Sequence, residues 1–149
     1  MTEEEVWYFA YGSNLNIGQM MNRVGEWSVS KRAVIKGYKL KFNVRSPRWG
    51  GLTANVVRTD NPNDKVYGVL YRILREKLNV LSTYEGTTPT DTPVEADGVN
   101  LQAKVYIFET PRVSGKPPEA YLDVMLTGLS QHGYPEAVIE EVKKSARTS

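Results

Sequence analysis

Residues 8–15 read Tyr8-Phe9-Ala10-Tyr11-Gly12-Ser13-Asn14-Leu15. The stretch from Val6 to Ala10 is β-branched and aromatic, which predicts a strand over 5–10. Gly12-Ser13-Asn14 breaks that strand, and Ser13 or Asn14 can cap a short helix over 16–24. A turn that opens a helix aims successive backbone N–H groups outward, and such a socket suits a carboxylate or a developing oxyanion. An ordinary strand–turn–helix connection uses the same small polar residues. The stretch by itself therefore leaves both readings open.

A second signal is a carboxylate on an apolar face. Residues 75–84 have helix-forming composition, with Leu74, Leu78 and Leu81 at the i, i+4, i+7 spacing of a buried stripe. The next position of that stripe is Glu85, and Gly86 follows as a C-terminal cap. Burial of a carboxylate is costly without partners, and the negative end of a helix dipole adds to the cost. Both effects raise the pKa toward the value a general acid/base needs near neutrality. The alternative is a helix that frays at Tyr84 and lets Glu85 face water.

Strands are predicted at 5–10, 31–36, 38–44, 52–58, 66–73, 92–96 and 101–109, and helices at 16–24, 75–84, 117–131 and 135–146. Leu101, Ala103, Val105 and Ile107 alternate with Gln102, Lys104 and Tyr106, the period of a strand with unlike faces. Strands outnumber helices and no βαβ rhythm appears. The expected class is therefore α+β, one small domain over 1–149 with a mixed, largely antiparallel sheet curled toward a barrel and helices at its periphery. Asn61-Pro62-Asn63-Asp64 is a surface turn, and the proline-rich stretch 111–118 leads into the C-terminal helices.

With 149 residues, 40% hydrophobic and 24% charged, the chain has the composition of a soluble globular domain. It has no cysteine, which excludes disulfides, thiolate catalysis and cysteine metal sites. No apolar run approaches the ~18 residues of a membrane span, and the acidic start Met1-Thr2-Glu3-Glu4-Glu5 is unlike a leader peptide. A cytoplasmic protein is expected. Lys31, Arg32, Lys36, Lys39, Lys41, Arg45 and Arg48 cluster between 31 and 48. In the stretch Lys39-Leu40-Lys41-Phe42-Asn43-Val44-Arg45 the cations fall on one face of a strand and the apolar residues on the other, which fits a nucleic-acid track or, more simply, a solvated outer face. The single histidine, His132, stands between Gln131 and Gly133 as a capping or surface residue, so a Ser13–His–acid triad is not expected.

Five segments in order carry a family likeness: Tyr8–Leu15, the Trp49-Gly50-Gly51 turn before a strand, Val66-Tyr67-Gly68-Val69-Leu70-Tyr71, the Glu85-Gly86 pair, and Tyr121 followed by Gly128-Leu129-Ser130-Gln131-His132-Gly133-Tyr134-Pro135. Together they resemble the γ-glutamylcyclotransferase family, related to the plant AIG2-like proteins, over roughly residues 6–143. The tail is similar to the closing helices of the glutathione-pathway branch. The resemblance implies a small barrel with peripheral helices and a cavity at one end. It also implies an enzyme, an intramolecular aminoacyl transferase. The α-amine of a γ-glutamyl group attacks its own side-chain amide carbonyl, giving 5-oxoproline and a free amine or amino acid. No cofactor or metal is implied, because the reactants are already tethered.

By the same resemblance, Glu85 is the catalytic acid/base. Tyr8, Phe9, Ala10, Tyr11, Gly12, Ser13 and Asn14 form the substrate cradle, and Tyr121 contacts substrate. The partner is a small γ-glutamyl compound; nucleic acid and membrane are not expected, and a homodimer is compatible with the likeness. The alternatives are a module that binds a small ligand in the same cavity without turnover, and a nucleic-acid binder using the basic face at 31–48. One departure stands out. The family's tyrosine about seven residues after the glutamate corresponds, without gaps, to Thr92 in Thr87-Thr88-Pro89-Thr90-Asp91-Thr92-Pro93. This unusual loop is expected at the cavity mouth, with the aromatic wall missing or supplied by Tyr106. A missing wall implies weak selection among leaving groups.

Overall fold

The computed structural model describes residues 4–109 and 113–148. Met1 to Glu3 of the acidic start and Pro111 of the proline-rich stretch lie outside the described residues. Among the described residues, seven strands and four helices run in the order β1 Glu5–Ala10, α1 Ile17–Val24, β2 Val29–Lys36, β3 Tyr38–Ser46, β4 Gly51–Arg58, β5 Lys65–Leu74, α2 Lys77–Glu85, β6 Thr90–Ala96, β7 Val99–Val105, α3 Glu119–Gln131 and α4 Glu136–Thr148. A single 3₁₀ turn, Ser13–Leu15, joins β1 to α1.

Five strands close a barrel in the order β1-β5-β2-β6-β7. Every pairing in it is antiparallel except β1 with β7, which meet in parallel at Tyr8 and Lys104 and close the ring. β5 pairs with β1 and β2, and its consecutive residues Val69, Leu70 and Tyr71 are all completely buried, so both of its faces are covered there. That double burial explains why residues 66–73 form a nearly unbroken apolar run. β3 and β4 form a separate two-stranded sheet.

Three local features differ from the sequence expectation, each for a physical reason. Leu74 ends β5, opposite Glu5, and does not start the helix; the helical stripe is Leu78, Leu81 and Glu85. β7 stops at Val105 instead of continuing to 109. Beyond it the backbone is claimed by side chains: the Tyr106 carbonyl accepts from Tyr11 Oη, and Phe108 exchanges two hydrogen bonds with the fully buried Asn55 amide, at 2.8 and 3.0 Å. Third, β3 carries a bulge between Phe42 and Val44. Lys41 faces Asn55 and Arg45 faces Leu52, three positions apart on β4, so the bulge moves Arg45 to the face opposite Lys39 and Lys41.

The expected basic cluster is consequently dispersed. Lys31 and Lys36 pair with Asp97 and Glu95, and Arg32 donates to the Gly133 carbonyl. Lys39 and Lys41 border a groove against α4, while Arg45 and Arg48 reach a cavity on another part of the surface.

α3 locks the turn after β1 in place. A Cβ at Gly128 would lie 2.3–2.6 Å from the Leu15 and Asn16 backbone, so only glycine lets the helix come this close. His132 caps α3, and its Nε2 lies 3.0 Å from Tyr71 Oη and 3.1 Å from the Leu15 carbonyl. It is thus a cap, as expected, but its ring is half-buried and braces the turn. Burial pushes its pKa below the usual histidine value. Tyr134 anchors the α3–α4 connection by donating to the Gly68 carbonyl at 2.7 Å.

Candidate active site

The turn at Gly12 is built for close approach. A Cβ there would lie 2.6 Å from Tyr121 Oη. That oxygen also accepts the Ala54 N–H at 3.0 Å, so one buried tyrosine ties α3, β4 and the turn together. The Leu15 and Asn16 N–H groups close onto the Gly12 and Ser13 carbonyls. The first N–H groups of such a turn have no acceptor within it.

Capping falls to neither expected residue. Asn16 caps α1 by accepting the Gln19 N–H at 3.2 Å. Ser13 and Asn14 are buried and drawn into a polar network instead. Gln19 Nε2 donates to Ser13 Oγ and Asn14 Oδ1, Arg23 donates to Asn14 Oδ1 at 3.0 Å, and Asn14 Nδ2 donates to Tyr8 Oη at 2.9 Å. Gln19 and Arg23 stand four apart on α1, a spacing that puts both over the turn. That spacing was the available signal for Arg23, which reading the motif alone overlooks.

Beside this turn lies a cavity of about 400 Å³. Its wall includes Tyr8, Phe9, Tyr11, Gly12, Ser13, Asn14 and Tyr121, together with Glu85. Ala10 is absent from that wall; it pairs with Val69 and is buried in the core. Glu85 is the last residue of α2, and Gly86 ends the helix in the left-handed conformation with its N–H on the Ser82 carbonyl. The helix therefore does not fray at Tyr84. Glu85 as a residue is half-buried, reached through the cavity, but protein surrounds its carboxyl. That loss of water pushes its pKa above the usual glutamate value, with the nearby Arg23 charge acting in the opposite direction.

Tyrosines surround this acid. Burial raises the pKa of Tyr8, Tyr11 and Tyr121 well beyond the usual range, and the Glu85 charge adds to it. Tyr106 is pushed up to about 12 by burial. Its hydroxyl bonds Ser82 Oγ at 2.9 Å and the Leu78 carbonyl at 3.1 Å, holding the end of β7 against α2. These phenols stay protonated, so they serve as hydrogen-bonding walls and not as bases.

The rim is cationic and aromatic. Arg23 and Arg48 place guanidinium carbons 4.2 and 4.5 Å from the Tyr84 ring centroid. Trp49 packs edge-on against Tyr121, centroids 5.1 Å apart. Arg45, Arg48 and Tyr84 were not among the residues marked from sequence, where the arginines read as part of a basic strand face.

Thr92 is not at this cavity. Residues 90–96 form β6 and not a loop, Thr92 pairs with Ala103, and it lines a separate groove with Lys36 and Arg58. The expectation that Thr92 opens the cavity mouth is therefore overturned, and weak selection among leaving groups loses its basis. Tyr106 lines the cavity, as the other option had it.

A family model described as γ-glutamyl cyclotransferase, AIG2-like, matches residues 8–124. The chain belongs to this family. Human γ-glutamylcyclotransferase is 27% identical over 151 residues, spanning 95% of this chain and 79% of the relative. The bovine γ-glutamylcyclotransferase is 28% identical over 142 residues, spanning 89% and 74%. A solved structure titled γ-glutamyl cyclotransferase superposes with a TM-score of 0.84 at 26% identity, covering 94% of this chain and 87% of that one. A yeast γ-glutamyl cyclotransferase specific to glutathione shares the fold at 17% identity and a TM-score of 0.66, covering 99% of both chains. This protein is thus an enzyme of the γ-glutamylcyclotransferase class with a small-molecule substrate. No helix among its described residues is long and apolar enough to cross a membrane.

Proposed function

We propose that the enzyme cyclises a γ-glutamyl amino acid or γ-glutamylamine to 5-oxoproline, with Glu85 as the general acid/base. The observation that carries this reading is a single cavity holding both the Glu85 carboxyl, its pKa raised by burial, and the N–H-bearing turn at Gly12 to Asn14. In its ionised form Glu85 takes a proton from the substrate α-ammonium. The freed amine attacks the γ-carbonyl carbon, and the carbonyl oxygen becomes an oxyanion facing the turn's N–H groups. Glu85 returns this proton to the leaving nitrogen as the bond from that carbon to it breaks, and the ring nitrogen passes its second proton, again through Glu85, to the departing amine, which leaves as an ammonium. Atoms and charge balance with no further reactant.

A raised pKa suits both halves of the cycle, since an ordinary glutamate is too weak a base to accept this proton readily near neutrality. Much of the remaining rate comes from holding the folded-back conformer, in which nucleophile and electrophile already share one molecule. Buried tyrosine walls at Tyr8, Tyr11, Tyr106 and Tyr121 are fixed by their own hydrogen bonds and so impose that conformer without rearranging. The test is to incubate the protein with a panel of γ-glutamyl compounds and measure 5-oxoproline. Formation that collapses in Glu85→Gln is the expected result. No product from any compound would overturn the reading.

A further inference from the structure

Three guanidiniums, from Arg23, Arg45 and Arg48, line the cavity, and Glu85 is the only carboxylate among its lining residues. Arg23 is already engaged: it donates to Asn14 and its charge offsets that of Glu85. Arg45 and Arg48 are exposed at the rim, and neither has an ion-pair partner among the described residues. Arg48 is nevertheless held in place by stacking on Tyr84, the residue next to Glu85. The Arg48 charge also bears on Arg23, so the rim gathers like charges that an anion would relieve.

We propose that Arg45 and Arg48 grip carboxylates of the leaving group, so that the preferred substrates release an acidic amino acid, and γ-glutamylamines lacking a carboxylate are poor ones. The proposal rests on the cyclisation reading above. The leaving nitrogen must come to Glu85, so the remainder of the leaving group extends past Tyr84 toward the rim. The planar fork of an arginine matches a carboxylate with two parallel hydrogen bonds. Two uncompensated guanidiniums match two carboxylates, the number that aspartate or glutamate carries as a leaving group. A leaving amine with a second positive charge meets repulsion at the same place. The specificity arises from charge that the sequence scatters over a strand and its turn, and that the bulge at Asn43 brings to the cavity side.

The test is kcat/KM, read from 5-oxoproline release, for γ-glutamyl-glutamate, γ-glutamyl-alanine and γ-glutamyl-ethylamide, which successively lose one carboxylate. The expected order is glutamate, alanine, ethylamide, with about tenfold per step, and the steps shrink at high salt. In a double variant, Arg45→Gln with Arg48→Gln, the glutamate-to-ethylamide ratio should fall to within about threefold of one, and Arg48→Lys should keep an intermediate ratio. Both positions are exposed, so circular dichroism should be unaltered. The same ladder should appear in calorimetric binding of the three compounds to Glu85→Gln. A wild-type ratio near one, or a ratio the double variant leaves intact, overturns the proposal. If no compound gives 5-oxoproline but the binding ladder stands and vanishes in the arginine variants, the cyclisation reading fails while the carboxylate grip holds.

Discussion

The cavity at Gly12 and the groove between β3 and α4 are similar in size, about 400 and 360 Å³, and both are bordered by cations. Their contents differ in kind. The cavity holds a desolvated acid, fixed tyrosines and guanidiniums stacked on an aromatic ring. The groove holds Lys39, Lys41, Lys65 and Lys144, none with an ion-pair partner among the described residues, and its acids are the half-buried Asp64 and the exposed Glu141. Lysines on flexible stems at a wet surface keep nearly full hydration and are screened by salt. Count of charge does not distinguish a site from a surface; a buried ionisable group beside preorganised dipoles does.

The sharpest way to break this contrast is at Glu85. Glu85→Gln keeps shape and removes proton transfer, so turnover should fall by about 10²-fold or more while substrate still binds. Single-turnover kinetics with calorimetry on the variant checks both halves. Near wild-type turnover would leave the cavity no better supported than the groove.

The next effect tests the scaffold. Gly128→Ala forces a methyl group into the Leu15–Asn16 backbone, which cannot yield as a flexible side chain would. Overpacking of this kind costs about 1–3 kcal/mol, or a Tm roughly 2–12 °C lower at 2–4 °C per kcal/mol. Because the displaced segment is the turn itself, kcat should fall along with Tm. A thermal melt together with an activity assay checks this, and Gly18→Ala, a helical position without positive φ whose new methyl meets only the Asn16 side-chain oxygen at 3.3 Å, is the comparison for a glycine replaced without a backbone clash.

How much of this was legible in the sequence follows the same physics. β1, β2, β4 and β5 were readable because β-branched and aromatic runs bounded by turn residues report burial directly. Glu85 was readable because a carboxylate continued an apolar helical stripe and a glycine followed it. The bulge at Phe42/Val44 was not readable, since one extra residue leaves no mark on alternation until its partner strand is known. That single shift hid Arg45 in a supposed basic strand. The end of β7 was hidden for a related reason. Asn55 and Tyr11, distant in sequence, take the backbone groups that a longer strand would have used. Thr92 misled because a count from Glu85 assumed a loop where β6 had already begun.

A smaller effect follows from the acid's displaced pKa. The Glu85 value in the folded protein lies above the ordinary 4.5. Folding therefore takes up a proton between the two values. Its stabilising contribution is complete below about 4.5, is lost as pH rises through the folded value, and stays lost above it. Glu85→Gln has no such loss. Its Tm relative to wild type should be near zero difference at pH 4 and positive at pH 8, with each 1 kcal/mol worth roughly 2–4 °C. The pH profile of kcat/KM should fall on the acid side at a pH above the ordinary glutamate range. A variant less stable than wild type at pH 8 would mean the carboxylate is well solvated, and the contrast with the lysine groove would weaken.

The smallest expected effect lies in the groove. Lys39→Glu with Lys41→Glu changes the charge of β3 by four units, yet it touches no residue of the cavity wall. The bulge places these lysines on the opposite face from Arg45, and exposed charges more than a Debye length of about 8–10 Å from a site are largely screened at physiological salt. The ratio of kcat/KM between variant and wild type should stay within about twofold at ~0.15 M salt. Wild-type protein should likewise not be retained on duplex or single-stranded oligonucleotide at that salt, since the seven cations of 31–48 occupy three settings and form no continuous track. Retention that weakens linearly with log salt, and that the double variant abolishes, would give the groove a ligand of its own. The two regions would then differ by what they bind and not by whether they bind.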